Sequence, residues 1–311
     1  MSQHLTRSLI LFSVLTSALA AQRTGPVGGF IPTKTPAIVA LALYVLSGIV
    51  LWINFFRLGR RPFMLTLTLG MTAMAAGFLL RIVFSNSPDS LGLYIIMDMF
   101  ILLSPCAFLA TDYMILARLA STFDKEVVES CLLIRPSRIV RFFVWSDGIT
   151  FFLQASGGGL TATKNVSTAN LGNKITMIGL GVQLASFLLF TVLILVFGWR
   201  VQTRYPAAWR PQSGEKRFTV LGRHPVGDWR ILFWTMCLTC IGILIRSVFR
   251  IAEFAGGYNG FIAVHEGYFY CFDSLPLWIA MSLYCFAWPT RFMSARGRQE
   301  AVELRKDPRS I

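Results

Sequence analysis

Arg246, Arg250 and Glu253 lie in a long apolar stretch, four and then three residues apart, so on a helix they share one face. Glu266 and Asp273 are seven apart in the next apolar stretch, and Asp147 and Gln154 are seven apart in an earlier one. Arg81, Asp98 and Asp112 complete the charges embedded in apolar sequence. A charge at the centre of a lipid-embedded helix costs about 2.5–3.5 kcal/mol on insertion scales, so it turns inward and finds a partner. Two arrangements fit. In one, a polar cavity opens outward and Glu253, Glu266, Asp273 and Asp147 receive the cationic head of an amphiphile, while Arg246 and Arg250 balance them or hold a phosphate. In the other, Arg246 and Arg250 pair with Asp273, Glu266 or Asp147 and lock the helices together. Small residues join helices more cheaply than ion pairs do, which favours the first arrangement for the cluster.

Other chemistries find little support. A zinc hydrolase needs several histidines, and the chain has only His4, His224 and His265. The His265-Glu266 pair lacks the second histidine of a metalloprotease helix, because position 269 is Phe. Cys237 and Cys240 form a CxxC inside an apolar run without a second such pair, which reads as buried helix residues. No phosphate-binding GxxxxGK[ST] loop is present. No catalytic residue, metal or cofactor is therefore expected.

The elements that must hold these charges are membrane helices. The chain is 55% hydrophobic and 14% charged over 311 residues, too apolar for a water-facing surface of that size. Its mean hydropathy is +0.60. Seven apolar runs, about 36–56, 63–84, 91–117, 139–157, 175–199, 230–252 and 267–288, each suffice to cross a hydrocarbon core roughly 30 Å thick. None alternates strictly, so the expected class is all-α, a bundle of seven transmembrane helices. The expected domains are a cleaved signal peptide at 1–20, a transmembrane domain at 21–293 and a basic cytoplasmic tail at 294–311.

Charge fixes the expected orientation. The formal net charge of +14 is concentrated in one set of loops and the tail, at Arg57, Arg60, Arg61, Arg118, Lys125, Arg135, Arg138 and Arg141, then from Arg200 to Arg230 and from Arg291 to Arg309. The opposite set has only Arg23, Lys34, Lys164 and Lys174. The positive-inside rule puts the rich side in the cytoplasm and the N-terminus outside. Asn165-Val166-Ser167 is a glycosylation acceptor and falls in a loop on the outer side. Basic residues confined to topology-setting loops argue against a nucleic-acid partner. Plasma membrane is the expected location. Gly157, Gly158 and Gly159 read as a flexible outer rim, and Pro105 and Pro276 as helix kinks that free backbone carbonyls.

Four segments carry a family resemblance: SPCAFLATDYMILAR (104–118), DGITFFLQASGGG (147–159), IRSVFRIAEFAGGYNG (245–260) and HEGYFYCFDSLP (265–276). In this order they resemble the fungal RTA-like family of lipid-translocating exporters, named for aminocholesterol resistance. The resemblance runs from about residue 30 to 293. It implies functional positions at Asp147, Gln154, Arg246, Arg250, Glu253, His265, Glu266, Asp273 and Pro276. Asp112 departs from the pattern, which has an uncharged residue there, and reads as a side chain reaching for the cytoplasmic surface. The implied activity is movement of lipid-like amphiphiles, including sphingoid long-chain bases and sterol amines, out of the inner leaflet or the cell. The implied partners are membrane lipids or amphipathic small molecules. A seven-helix receptor or lipid sensor is the alternative, although the third helix ends in ILAR rather than a DRY-like motif.

Overall fold

The computed structural model describes residues 32–161, 166–209, 226, 228–256 and 265–293. The expected signal peptide, Asn165 and the tail lie outside the described residues. Each of the seven apolar runs forms a helix: α1 Lys34–Arg57, α2 Pro62–Phe84, α3 Leu91–Ala120, α5 Pro136–Thr161, α6 Val166–Arg204, α8 Trp229–Ala255, and a final composite helix. That last run comprises α9 Glu266–Tyr268, a π-helical turn Phe269–Ser274 and α10 Leu275–Phe286. Two short helices, α4 Lys125–Cys131 and α7 Pro206–Trp209, lie between them, and no strand occurs among the described residues.

Six of these helices are long and apolar enough to cross a membrane. α5 is the seventh in the bundle but is not one of the six, because Arg138, Arg141, Asp147, Gln154 and four glycines dilute its apolar content. It still obeys the same burial logic. Its buried residues are Ile139, Phe143, Asp147, Thr150, Gln154, Gly157 and Thr161, spaced three or four apart in one stripe. Its outward face carries Phe142, Trp145, Ile149 and Phe152, all exposed. Polar residues inside and bare aromatics outside are what lipid as solvent demands.

The helices form a closed ring, with contacts running α1–α2–α3–α5–α6–α8–α10 and back to α1. Small residues set the tightest crossings. A Cβ on Gly157 of α5 would meet Thr176 Oγ1 at 2.3 Å, and one on Gly172 of α6 would meet the Gly157 carbonyl at 2.6 Å. Gly157–Gly159 are therefore helical, and Gly157 is a packing contact, which corrects the expected flexible rim. Here backbone approach, not turn formation, is the reason for glycine.

α1 is fastened to α10 by polar contacts at lipid depth. Trp278 Nε1 donates to the Leu43 carbonyl at 3.1 Å and to Ser47 Oγ at 3.0 Å, and Tyr44 OH donates to the Ser274 carbonyl at 2.9 Å. Such bonds hold where no water competes.

Candidate functional site

Two prolines shape the backbone around the buried charges. Pro105 has no N–H, so within α3 it cannot satisfy the carbonyl four residues earlier, that of Ile101. Arg246 Nη2 reaches that carbonyl from α8 at 3.4 Å. Pro276 follows the π-helical turn by two residues, and the wider turn relieves the clash between its ring and the preceding helix. The sequence showed the proline but not the turn.

The turn decides where the acids point. Asp273, fully buried, accepts from Arg246 Nη1 on one oxygen and from Arg250 Nε on the other. Arg250 also donates to Glu253 at 3.1 Å, one turn further along α8. Glu266 pairs instead with Arg81 of α2, 2.7 Å away, and accepts from the Thr33 backbone N–H at 2.8 Å. Seven residues span two α-helical turns but not a path through a π-helical turn, so Glu266 and Asp273 do not share partners. The aromatic ring of Phe269 lies between the two groups, with the Arg81 guanidinium 4.6 Å and the Arg250 guanidinium 5.3 Å from its centroid.

Arginine–carboxylate pairing therefore holds in this structure where an open, carboxylate-lined chamber was one expectation. The void among Gln154, Gln183, Arg246, Ser247 and Arg250 is only about 30 Å³. That is room for water and not for a head group. Among the described residues the three guanidiniums of Arg81, Arg246 and Arg250 pair with Glu253, Glu266 and Asp273, and Asp98 of α3 lies within electrostatic range of Arg250 and Arg81. Asp98 is half-buried beside Gly158 and forms no ion pair among the described residues, so the array holds one carboxylate more than it has cations.

The other expected residues are divided between places. Gln154 donates to Gln183 Oε1 of α6 at 2.7 Å and lines the small void. His265 is exposed at the start of α9, its ring 6.2 Å from that of Tyr268. Asp147 does not join the arginines; it accepts from Tyr113 OH of α3 at 2.8 Å. Asp112 is fully buried, where a surface-reaching side chain was expected. Tyr284 OH donates to its Oδ1 at 2.5 Å and Thr239 to its Oδ2 at 3.1 Å. Both donors come from neighbouring helices, which no single-helix spacing reveals.

Below the Arg81–Glu266 pair an apolar cavity of about 280 Å³ lies between α1 and the π-helical segment. Pro36, Ala40, Tyr44, Tyr270, Leu275 and Trp278 are among its walls. Pro36 is one turn from Thr33, and Tyr270 one turn from Glu266, so the cavity's end abuts the polar pair. Exposed Val39, Cys271 and Leu275 also line it and open it to the lipid-facing flank.

A helical ring with charges inside and apolar side chains outside defines a multi-pass membrane protein. This chain belongs to the RTA1-like family: the family model described as RTA1 like protein matches residues 67–296. Among its relatives in Saccharomyces cerevisiae, Protein RTM1 is 34% identical over 66% of this chain and 60% of its own length. Protoporphyrin uptake protein 1 is 32% identical over 67% of this chain and 62% of its own. Sphingoid long-chain base transporter RSB1 is 24% identical over 84% of this chain and 72% of its own. The chain thus spans about three fifths of the first two relatives' length. No solved structure matches it.

Proposed function

We propose that this protein exports or flops cationic lipid-like amphiphiles, such as sphingoid long-chain bases or sterol amines, and so protects the cell from them. The observation that carries the reading is the 280 Å³ apolar cavity placed one helical turn from an ion-pair array with a surplus carboxylate. The cavity takes the hydrocarbon tail from the surrounding lipid. Asp98, Glu253, Glu266 and Asp273 offer negative charge to the ammonium head, with His265 at the outer entrance and Gln154 lining the inner void. Arg81, Arg246 and Arg250 hold the acids when no cargo is present, so entry of an amine exchanges one ion pair for another. A relative named as a sphingoid long-chain base transporter supports this class of cargo.

In this reading the protein crosses the plasma membrane seven times, with its N-terminus outside behind a cleaved signal peptide and Asn165 glycosylated. The loop charges support that orientation.

The test is efflux of a fluorescent long-chain amine from yeast expressing the protein. Asp98→Asn and Glu266→Gln are each expected to lower efflux severalfold at equal surface expression. Efflux matching wild type in both variants would overturn the assignment of the head-group site. Removal of a glycosidase-sensitive mobility shift by Asn165→Gln checks the orientation.

A further inference from the structure

Asp147 has no place in the ionic array, yet it is buried at the centre of the bundle. It is 3% exposed. Its Oδ2 accepts the Tyr113 hydroxyl proton at 2.8 Å, while its Oδ1 is buried without a hydrogen-bond partner among the described residues. No ion pair reaches it among the described residues. A carboxyl group with neither a cation nor a second donor is an expensive thing to bury in a membrane protein, and inward-facing groups of this kind mark proton relays.

The neighbourhood offers polar groups towards the outer side. Gln154 lies seven residues along the same buried stripe of α5, about 10 Å away at 1.5 Å per residue. Gln154 touches Gln183, whose Nε2 lies 3.9 Å from Cys106 Sγ. Cys106 is seven residues from Tyr113, on the same face of α3. Above them the void of about 30 Å³, bounded by Arg246, Ser247 and Arg250, can hold water. The residue that precedes Tyr113 on α3, Asp112, is a second buried carboxyl group, held among the described residues by the neutral donors Tyr284 and Thr239.

We propose that Asp147 is a proton-carrying site and that proton passage through it is coupled to cargo movement. As a carboxylate it takes a proton from the outer polar void to become the acid, then releases that proton towards the cytoplasmic side. One proton inward for one ammonium outward moves no net charge. The facing groups are few. α3 presents Tyr113 and Cys106, with Asp112 beyond. α8 presents Arg246 across the void, and α6 brings Gln183 while its charges, Lys174, Arg200 and Arg204, lie near its ends. On α5 itself Arg138 and Arg141 are exposed.

The coupling rests on the exporter reading for its cargo; the proton site does not. Two measurements separate them. In pH-difference infrared spectra of the purified protein, the carbonyl stretch of a protonated acid is expected in wild type, diminished in Asp147→Asn and restored in Asp147→Glu. Spectra of wild type and Asp147→Asn that coincide would overturn the proton site. In vesicles with a lumenal pH dye, an imposed gradient of the fluorescent long-chain amine is expected to drive a pH change in wild type. In Asp147→Asn the pH change per amine moved, after subtraction of the leak in protein-free vesicles, is expected to fall towards zero. Amine movement by wild type with no pH change overturns the coupling and leaves the exporter reading standing. Absence of amine movement overturns the exporter reading and with it the coupling, while the infrared result still decides the proton site.

Discussion

Asp273 carries more of the array than any other side chain, because both its oxygens are occupied by guanidiniums and it has no exposed surface. Asp273→Asn is expected to leave Arg246 a buried cation without a carboxylate and Arg250 with Glu253 alone, and to cost about 3–5 kcal/mol, read as a lower midpoint in thermal unfolding in detergent. Replacing Arg246 and Asp273 together with Met and Leu is expected to recover most of that loss, since the desolvation cost disappears with the charges. A double variant no more stable than Asp273→Asn would contradict this pairing. At this scale the sequence was informative about identity. Arg246, Arg250, Glu253 and Asp273 were all legible as inward charges, because an apolar surround leaves them no other place. Which acid met which arginine was not legible, since Arg81 and Glu266 are far apart in the chain and join only through the closure of the ring.

The helices explain where the bundle tolerates change. A Cβ on Gly242 of α8 would lie 2.7 Å from the Pro276 carbonyl and 2.8 Å from the Ala280 Cβ. Gly242→Val is expected to force α8 and α10 apart and to destabilise the protein by about 1–3 kcal/mol. Gly148→Ala, where a Cβ meets nothing within 4 Å, is expected to leave the unfolding midpoint unchanged or slightly raised. Equal effects of the two substitutions would remove backbone approach as the reason for Gly242. The π-helical turn makes a sharper prediction. Pro276→Ala restores an N–H to the helix, allows α-helical register through Phe269–Ser274 and turns Asp273 away from its arginines. The expected result is a helical, membrane-inserted protein that has lost amine efflux. Efflux at the wild-type rate would show that the turn is dispensable.

For the molecule as a whole, the ring of helices leaves one wall thin, between α1 and the segment from α9 to α10, and the apolar cavity lies there. Ala40 lines it and is nearly buried. Ala40→Leu is expected to fill space that the tail of the cargo needs, lowering amine efflux while the unfolding midpoint holds or rises. Unimpaired efflux would place the tail elsewhere. The seven-residue spacings of Asp147 with Gln154 and of Glu266 with Asp273 seemed equivalent in the sequence, and only the first kept both residues on a common face. α5 is a regular helix, whereas the last run is interrupted by a wider turn.

The amino-acid sequence by itself determined that this chain forms long helices with apolar exteriors and inward charges, because lipid leaves the backbone no other way to satisfy its hydrogen bonds. It determined the family as well, through four ordered segments. The tertiary structure alone decided that Asp147 stands with Tyr113 outside the ionic array, that Asp112 is buried, and that a cavity lies beside Glu266. Those facts depend on which helix faces lie opposite one another, and side-chain spacing along one helix carries no information about its neighbour.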